Sequence, residues 1–147
     1  RDRSPVGVTI SSLSVEAVVV PVGVAADGSL MLPEPSTVGW WIGGAQPGDA
    51  RGTTVLAGHV DADDGSQGAL YDLSSVHGGD TIRIATAAGP LTYRVVALHN
   101  YRRQHLPKQL FDQRGPHRLA VITCGGSYDP RRGYSSNVVA YAVPARA

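Results

Sequence analysis

Sulfur and heavy aromatic side chains are scarce in this chain. Its 147 residues include one cysteine, one methionine, one phenylalanine and two tryptophans. A lone cysteine forms no internal disulfide, so no covalent framework holds the fold and cysteine usage leaves the redox compartment open. Charge is sparse as well, at 17% of residues, and 13 Lys and Arg against 12 Asp and Glu leave a formal +1. Such a balance gives no basic field for nucleic acid, and the Arg102-Arg103 and Arg131-Arg132 pairs are too mild to create one. No apolar run approaches the roughly 18 residues of a transmembrane helix, and no signal peptide is visible. At this size the chain reads as one domain, residues 1–147, burying about two-thirds of its unfolded surface.

Glycine and proline are plentiful, at 18 and 10 residues. They cut the sequence into pieces too short for most helices, and those pieces are rich in Val, Ile and Thr. Strands are predicted at 7–10, 15–21, 53–59, 81–86, 91–98, 119–123 and 138–143. "DTIRIATAAGPLTYRVVALH" predicts a hairpin turning at Ala88-Gly89-Pro90. "ALYDLSSV" and "LPKQLFDQ" each predict one helical turn, and Trp40 or Trp41 is expected to plug the core. The class is all-β, a closed barrel or a sandwich.

Cys124 carries the chemical question. A lone cysteine is more often a buried apolar residue than a catalyst. Yet "LAVIT" reads as a buried strand ending at Cys124, and Gly125-Gly126 lets a ligand's backbone come close. A nucleophilic thiol needs a base or a cation beside it. Of five histidines, His59 ends the apolar run "TTVLAGH", while His77, His99, His105 and His117 are expected on the surface. Asp61, Asp63 and Asp64 crowd "HVDADDGSQG", but Gly65 and Ser66 stand where a calcium loop needs a ligand and its turn glycine, and no glutamate closes it. No metal is expected there. Asp61 is placed to bias the His59 imidazole toward its protonated form.

"TVLAGHVD", "GALYDLSSVHGGDTI", "YRVVALH", "LPKQLFD" and "LAVITCGGSYD…NVVAYA" resemble the sortases in the same order. These are cysteine transpeptidases of Gram-positive surfaces, and the likeness runs from about Val6 to Val143. The ending is most similar to the class F branch of high-GC actinobacteria. The resemblance implies a closed sortase-type β-barrel of seven to eight strands with short helical turns in its connections. It implies Cys124 as nucleophile, His59 as proton donor and acceptor, and no cofactor. The family's third residue, an arginine on the strand after the cysteine, is replaced here by Asn137. Arg132 is the preferred substitute and Arg131 the alternative. Ala57, Tyr71, Thr123, Gly125, Leu106 and Pro107 are expected to line the substrate groove.

The implied partners are an LPXTG-like sorting signal, cleaved at its Thr–Gly bond, and a lipid II-like cell-wall amine. The implied setting is the outer face of the cell membrane. Residues 1–5 are then a flexible leader from an anchor outside this sequence, and the protein acts as a monomer in wall anchoring. L,D-transpeptidases place their cysteine in a different local sequence, and a papain-like cysteine needs a helix that "GGSYDPRRG" opposes. A sortase-like barrel that only binds peptide is the non-enzymatic alternative, favoured by the missing strand arginine.

Overall fold

In the computed structural model, eight strands close into a barrel: β1 (Pro5–Ile10), β2 (Val15–Val22), β3 (Val38–Trp41), β4 (Thr53–Ala57), β5 (Thr81–Thr86), β6 (Leu91–Arg102), β7 (Arg118–Asp129) and β8 (Gly133–Pro144). The structure describes residues 2–24, 30–62, 64–102, 105–131 and 133–145, with the backbone alone at 124–128. The order around the ring is β1-β2-β3-β4-β7-β8-β6-β5, and β5 pairs with β1 to close it. The predicted all-β barrel with helical turns is therefore what forms. Single 3-10 turns lie at Leu73–Ser75 and Lys108–Phe111, inside the two segments predicted to hold them.

Alternation decides which side chains face inward. In β5, Ile82 and Ile84 are fully buried while Thr81, Arg83 and Ala85 are exposed. These join Val8, Ile10, Val38, Leu56, Tyr93 and Val121 in the barrel interior. β4 is different, since all five of its residues are buried. Its second face lies under an outer apolar layer formed by Val55, Ala57, Leu110, Ala120, Ile122, Val139 and Tyr141. A strand covered on both faces loses the alternating pattern and reads as a continuous apolar run. The segment between β6 and β7 supplies the cover through Leu106, Leu110 and Phe111, and Phe111 meets Trp41 edge-on at 5.2 Å.

Four expectations need correction. β3 was not foreseen, because "VGWW" has neither alternation nor a β-branched run. Trp40 from it does plug the core at 7% exposure, its indole donating to the Ala45 carbonyl. β4 ends at Ala57, so His59 stands two residues past the strand and not within it. β7 continues through Cys124 and the paired glycines to Asp129, and β8 begins at Gly133, so the cysteine sits inside a long hairpin arm. His117 is buried and not on the surface; His77, His99 and His105 are exposed as expected.

Candidate active site

The site follows from one pairing. β4 and β7 run parallel, with Leu56 opposite Val121 and Ala57 opposite Ile122. Past the end of β4 the register is held by two further hydrogen bonds. The Gly58 N–H donates to the Ile122 carbonyl at 3.0 Å, and the Thr123 hydroxyl donates to the Gly58 carbonyl at 2.8 Å. One residue further along each segment stand His59 and Cys124, His59 in the loop just past β4 and Cys124 within β7. On the other side Cys124 pairs with Asn137 of β8, and Asn137 pairs with Tyr101 of β6. His59, Cys124, Asn137 and Tyr101 thus occupy one rung across four neighbouring segments.

The His59 backbone is tightly seated. Its carbonyl accepts from the Leu70 N–H at 3.1 Å. A Cβ on Gly68 would stand only 2.3 Å from that carbonyl oxygen, so this crossing requires glycine. The half-buried imidazole donates through Nε2 to the Pro33 carbonyl at 2.9 Å. A carbonyl oxygen only accepts, so Nε2 carries the hydrogen, and Nδ1 is the nitrogen left with a lone pair.

Asp61, expected to act on His59, accepts instead from the Tyr134 hydroxyl. Asp64 binds the Ser66 N–H and hydroxyl in an Asx turn, and hydrogen bonding from Ser66 holds its carboxyl below the usual range. Asp63 lies outside the described residues.

The expected groove residues divide into groups. Ala57 and Leu106 share the outer apolar layer beneath the His59–Cys124 rung. Pro107 lines a cleft of about 480 Å³ along β6 and β8, with His99, Tyr101, Gln109, Arg118 and Tyr141. Thr123 is buried, and its hydroxyl is spent on Gly58, so it fastens β4 to β7. Gly125 pairs with Ser136 next to the rung, and Tyr71 is exposed on the turn after Leu70.

The cleft has its own order. Tyr101 and Tyr141 share a hydroxyl–hydroxyl bond of 2.9 Å, and the Arg118 guanidinium lies 4.6 Å over the Tyr141 ring. Burial, then the Tyr101 contact, pushes the Tyr141 hydroxyl well above the usual phenol range. The Tyr141 hydroxyl stays neutral there at any physiological pH.

Arg131 is not on the rung. It is exposed in the turn between β7 and β8, its N–H on the Asp129 carboxylate. From Asn137 back to Gly133 is about 14 Å along β8, which puts the Arg131 turn at the far tip of the hairpin. Arg132 lies outside the described residues. Asn137 does occupy the β8 position directly opposite Cys124. Sequence reasoning missed the Pro33 carbonyl and Tyr134 as partners of the His59 loop. Both lie far from His59 along the chain, and neither contact has a local sequence signal.

A sortase-domain family model matches residues 8–145. No curated protein sequence matches the chain significantly. Among solved structures, sortase A from Corynebacterium diphtheriae superposes with a TM-score of 0.73 at 19% identity, covering 99% of this chain and 63% of that one. Sortase C1 from Streptococcus suis gives 0.75 at 18% identity, over 99% and 75%. Sortase C-1 from Actinomyces oris gives 0.73 at 18% identity, over 98% and 76%. The chain therefore spans under two-thirds of the length of the diphtheria enzyme. With the family model covering nearly the whole chain and this barrel beneath it, the chain belongs to the sortase family, a family of cysteine transpeptidases.

Proposed function

We propose that this chain is the single catalytic domain of a class F-like sortase, cleaving the Thr–Gly bond of an LPXTG-like signal. The observation that supports the reading is the β4–β7 register, whose last pair, Ala57 and Ile122, lies two residues before His59 and Cys124 and within the apolar outer layer. Cys124 as thiolate attacks the threonine carbonyl carbon. Its new C–S bond forms as the carbonyl electrons move to oxygen. The oxyanion collapses, the C–N bond breaks, and the departing glycine amine takes a proton from the His59 imidazolium. The thioester is then attacked by a cell-wall amine of lipid II type, whose proton passes to His59, and Cys124 leaves as thiolate. Water in place of that amine gives slow hydrolysis.

Because Nε2 is held by Pro33, both proton transfers use Nδ1. Arg132, or failing it Arg131, stabilises the oxyanion, a contact of the kind worth about 3 kcal/mol. Ala57, Leu106, Pro107 and Tyr71 receive the apolar leucine-proline end, and Gly125 leaves room for the scissile bond. No cofactor or metal enters the reaction. The expected setting is the extracytoplasmic membrane face, reached through an anchor outside this sequence, with a monomer acting in wall anchoring. One observation favours a second reading, a barrel that binds sorting peptides with little turnover. Asn137 stands across from Cys124 in the position where many sortases carry arginine.

A fluorogenic LPXTG-type peptide with a small amine separates the two. Turnover by the wild type, lost in Cys124→Ala and in either Arg132→Ala or Arg131→Ala, is the expected result. Peptide binding without turnover supports the second reading, and neither binding nor turnover across several signals overturns both.

A further inference from the structure

The loop after His59 is hydrogen-bonded across itself, and one of its described residues reaches across to the β7–β8 hairpin. From His59 the chain runs out through Val60 and Asp61 and returns to Gly68. Asp61 and Gln67 form a β-bridge. The Ala62 N–H donates to Ser66 and the Gly68 N–H to Val60, at 2.8 and 3.0 Å. The segment is a small ladder whose base is the His59 carbonyl. Opposite it stands a second arm, the extended hairpin of β7 and β8, in which the register shifts after Gly125 and Tyr128 pairs with Tyr134. Beyond Ala57 no β4 strand lies between the two arms. Among the described residues, the hydrogen bond from the Tyr134 hydroxyl to the Asp61 carboxylate joins them there.

Asp61 is two residues from His59. Tyr134 is three residues from Asn137, which pairs with Cys124. The bond therefore closes a circuit, His59 to Asp61, across to Tyr134, down β8 to Asn137, and through the pair to Cys124.

We propose that the Tyr134–Asp61 bond is a clamp that sets the separation and angle of His59 and Cys124, making both positioning residues for the transfer reaction. The proposal rests on the catalytic reading of the His59–Cys124 pair. Without the clamp the two arms lose the bond that ties Asp61 to Tyr134, and the imidazole and thiol are aligned for a smaller share of the time. Alignment is a property of the transition state more than of peptide binding, so the loss falls on kcat. What Tyr134 needs at position 61 is an acceptor oxygen and not a charge, because an amide oxygen accepts from a phenol as a carboxylate does.

The test is a double-mutant cycle on the full chain with Tyr134→Phe, Asp61→Ala and their combination, plus Asp61→Asn. Each single variant lowers kcat about tenfold with KM nearly unchanged, the double variant falls no further, and Asp61→Asn stays near wild type. Additive losses, a fall in KM affinity alone, or Asp61→Asn as poor as Asp61→Ala overturns the clamp. The same proteins are compared by iodoacetamide alkylation of Cys124, which needs no peptide. Either single variant changes that rate by the same factor and the double adds nothing. Equal rates in all four cycle proteins overturn the clamp whatever the peptide assay gives. If no sorting peptide is cleaved while the alkylation cycle is non-additive, the clamp stands and the substrate assignment fails.

Discussion

The parallel pair β4–β7 has a histidine at each end, and the two are held in opposite ways. His59, past the carboxyl end of β4, is half-buried, and among the described residues only its Nε2 has a partner. His117, just before β7 begins, is 9% exposed and has both nitrogens committed. Its Nδ1 donates to the Gly52 carbonyl at 2.9 Å. Its Nε2 accepts from the Tyr93 hydroxyl at 2.7 Å, and that hydroxyl accepts from the Gly48 N–H at 3.1 Å. Burial pushes the His117 imidazole down and the Tyr93 hydroxyl up, so both stay neutral. An imidazole with no nitrogen to spare is a bolt, whereas one with a nitrogen to spare can pass a proton. Burial and partner count separate the roles where residue type does not.

The sharpest break in that comparison is chemical. Cys124→Ala should abolish turnover, and His59→Ala should lower it by about a thousandfold, with the thermal midpoint of both variants near wild type in differential scanning fluorimetry. A large loss of stability in His59→Ala would put it with His117 as a structural residue. The mirror variant, His117→Ala, leaves the Tyr93 hydroxyl and Gly52 carbonyl buried without their partner. It should cost about 3 kcal/mol of unfolding free energy in a denaturant titration. Activity per folded molecule should be retained.

Acid sharpens the same contrast. A histidine whose folded value is pushed below 6.5 stabilises the fold fully above that pH. The contribution fades as pH falls below 6.5 toward the lowered folded value, because the unfolded chain takes up the proton first. The wild type should therefore lose denaturant resistance in that window, and His117→Phe should show a shallower slope there. An equal slope in both proteins would assign the acid sensitivity elsewhere. The smallest effect belongs to Tyr101→Phe. It removes one partly buried hydroxyl bond on the outer face, costs about 1 kcal/mol, and should change turnover by less than the active-end substitutions do.

Strands with alternating β-branched residues were legible in the sequence. Ile82 and Ile84 alternating with Thr81, Arg83 and Ala85 is a local pattern, and β5 forms over the predicted residues. "VGWW" was not legible, because its glycine and tryptophans owe their strand geometry to pairing with β2 and β4. The ends of β7 and β8 were hidden for a related reason, since paired glycines mark a strand's close locally but lie here within the hairpin ladder. His59 and Cys124 were singled out from their strand-end contexts together with the resemblance those motifs carry. The parallel β4–β7 register that leads toward both is encoded by no local pattern. His117 was misjudged because the flanking Gly115-Pro116 reads as an exposed loop. Its partners Tyr93 and Gly52 lie 24 and 65 residues away in the chain. Pro33 and Tyr134 belong to the same class of long-range contact.

The ring of strands closes on itself, with every one of the eight paired on both sides. An open sheet could take up an extended peptide as one more strand, reading its main chain through amide hydrogen bonds and tolerating most side chains. The closure stops short at one place, since β4 ends at Ala57 opposite Ile122 while β7 runs on to Asp129, and past Ile122 the β7 edge carries no β4 pairing. A peptide of the proposed kind lying along that edge can pair its main chain there. Methylating its main-chain amides beside the scissile bond should then weaken turnover as strongly as exchanging a side chain.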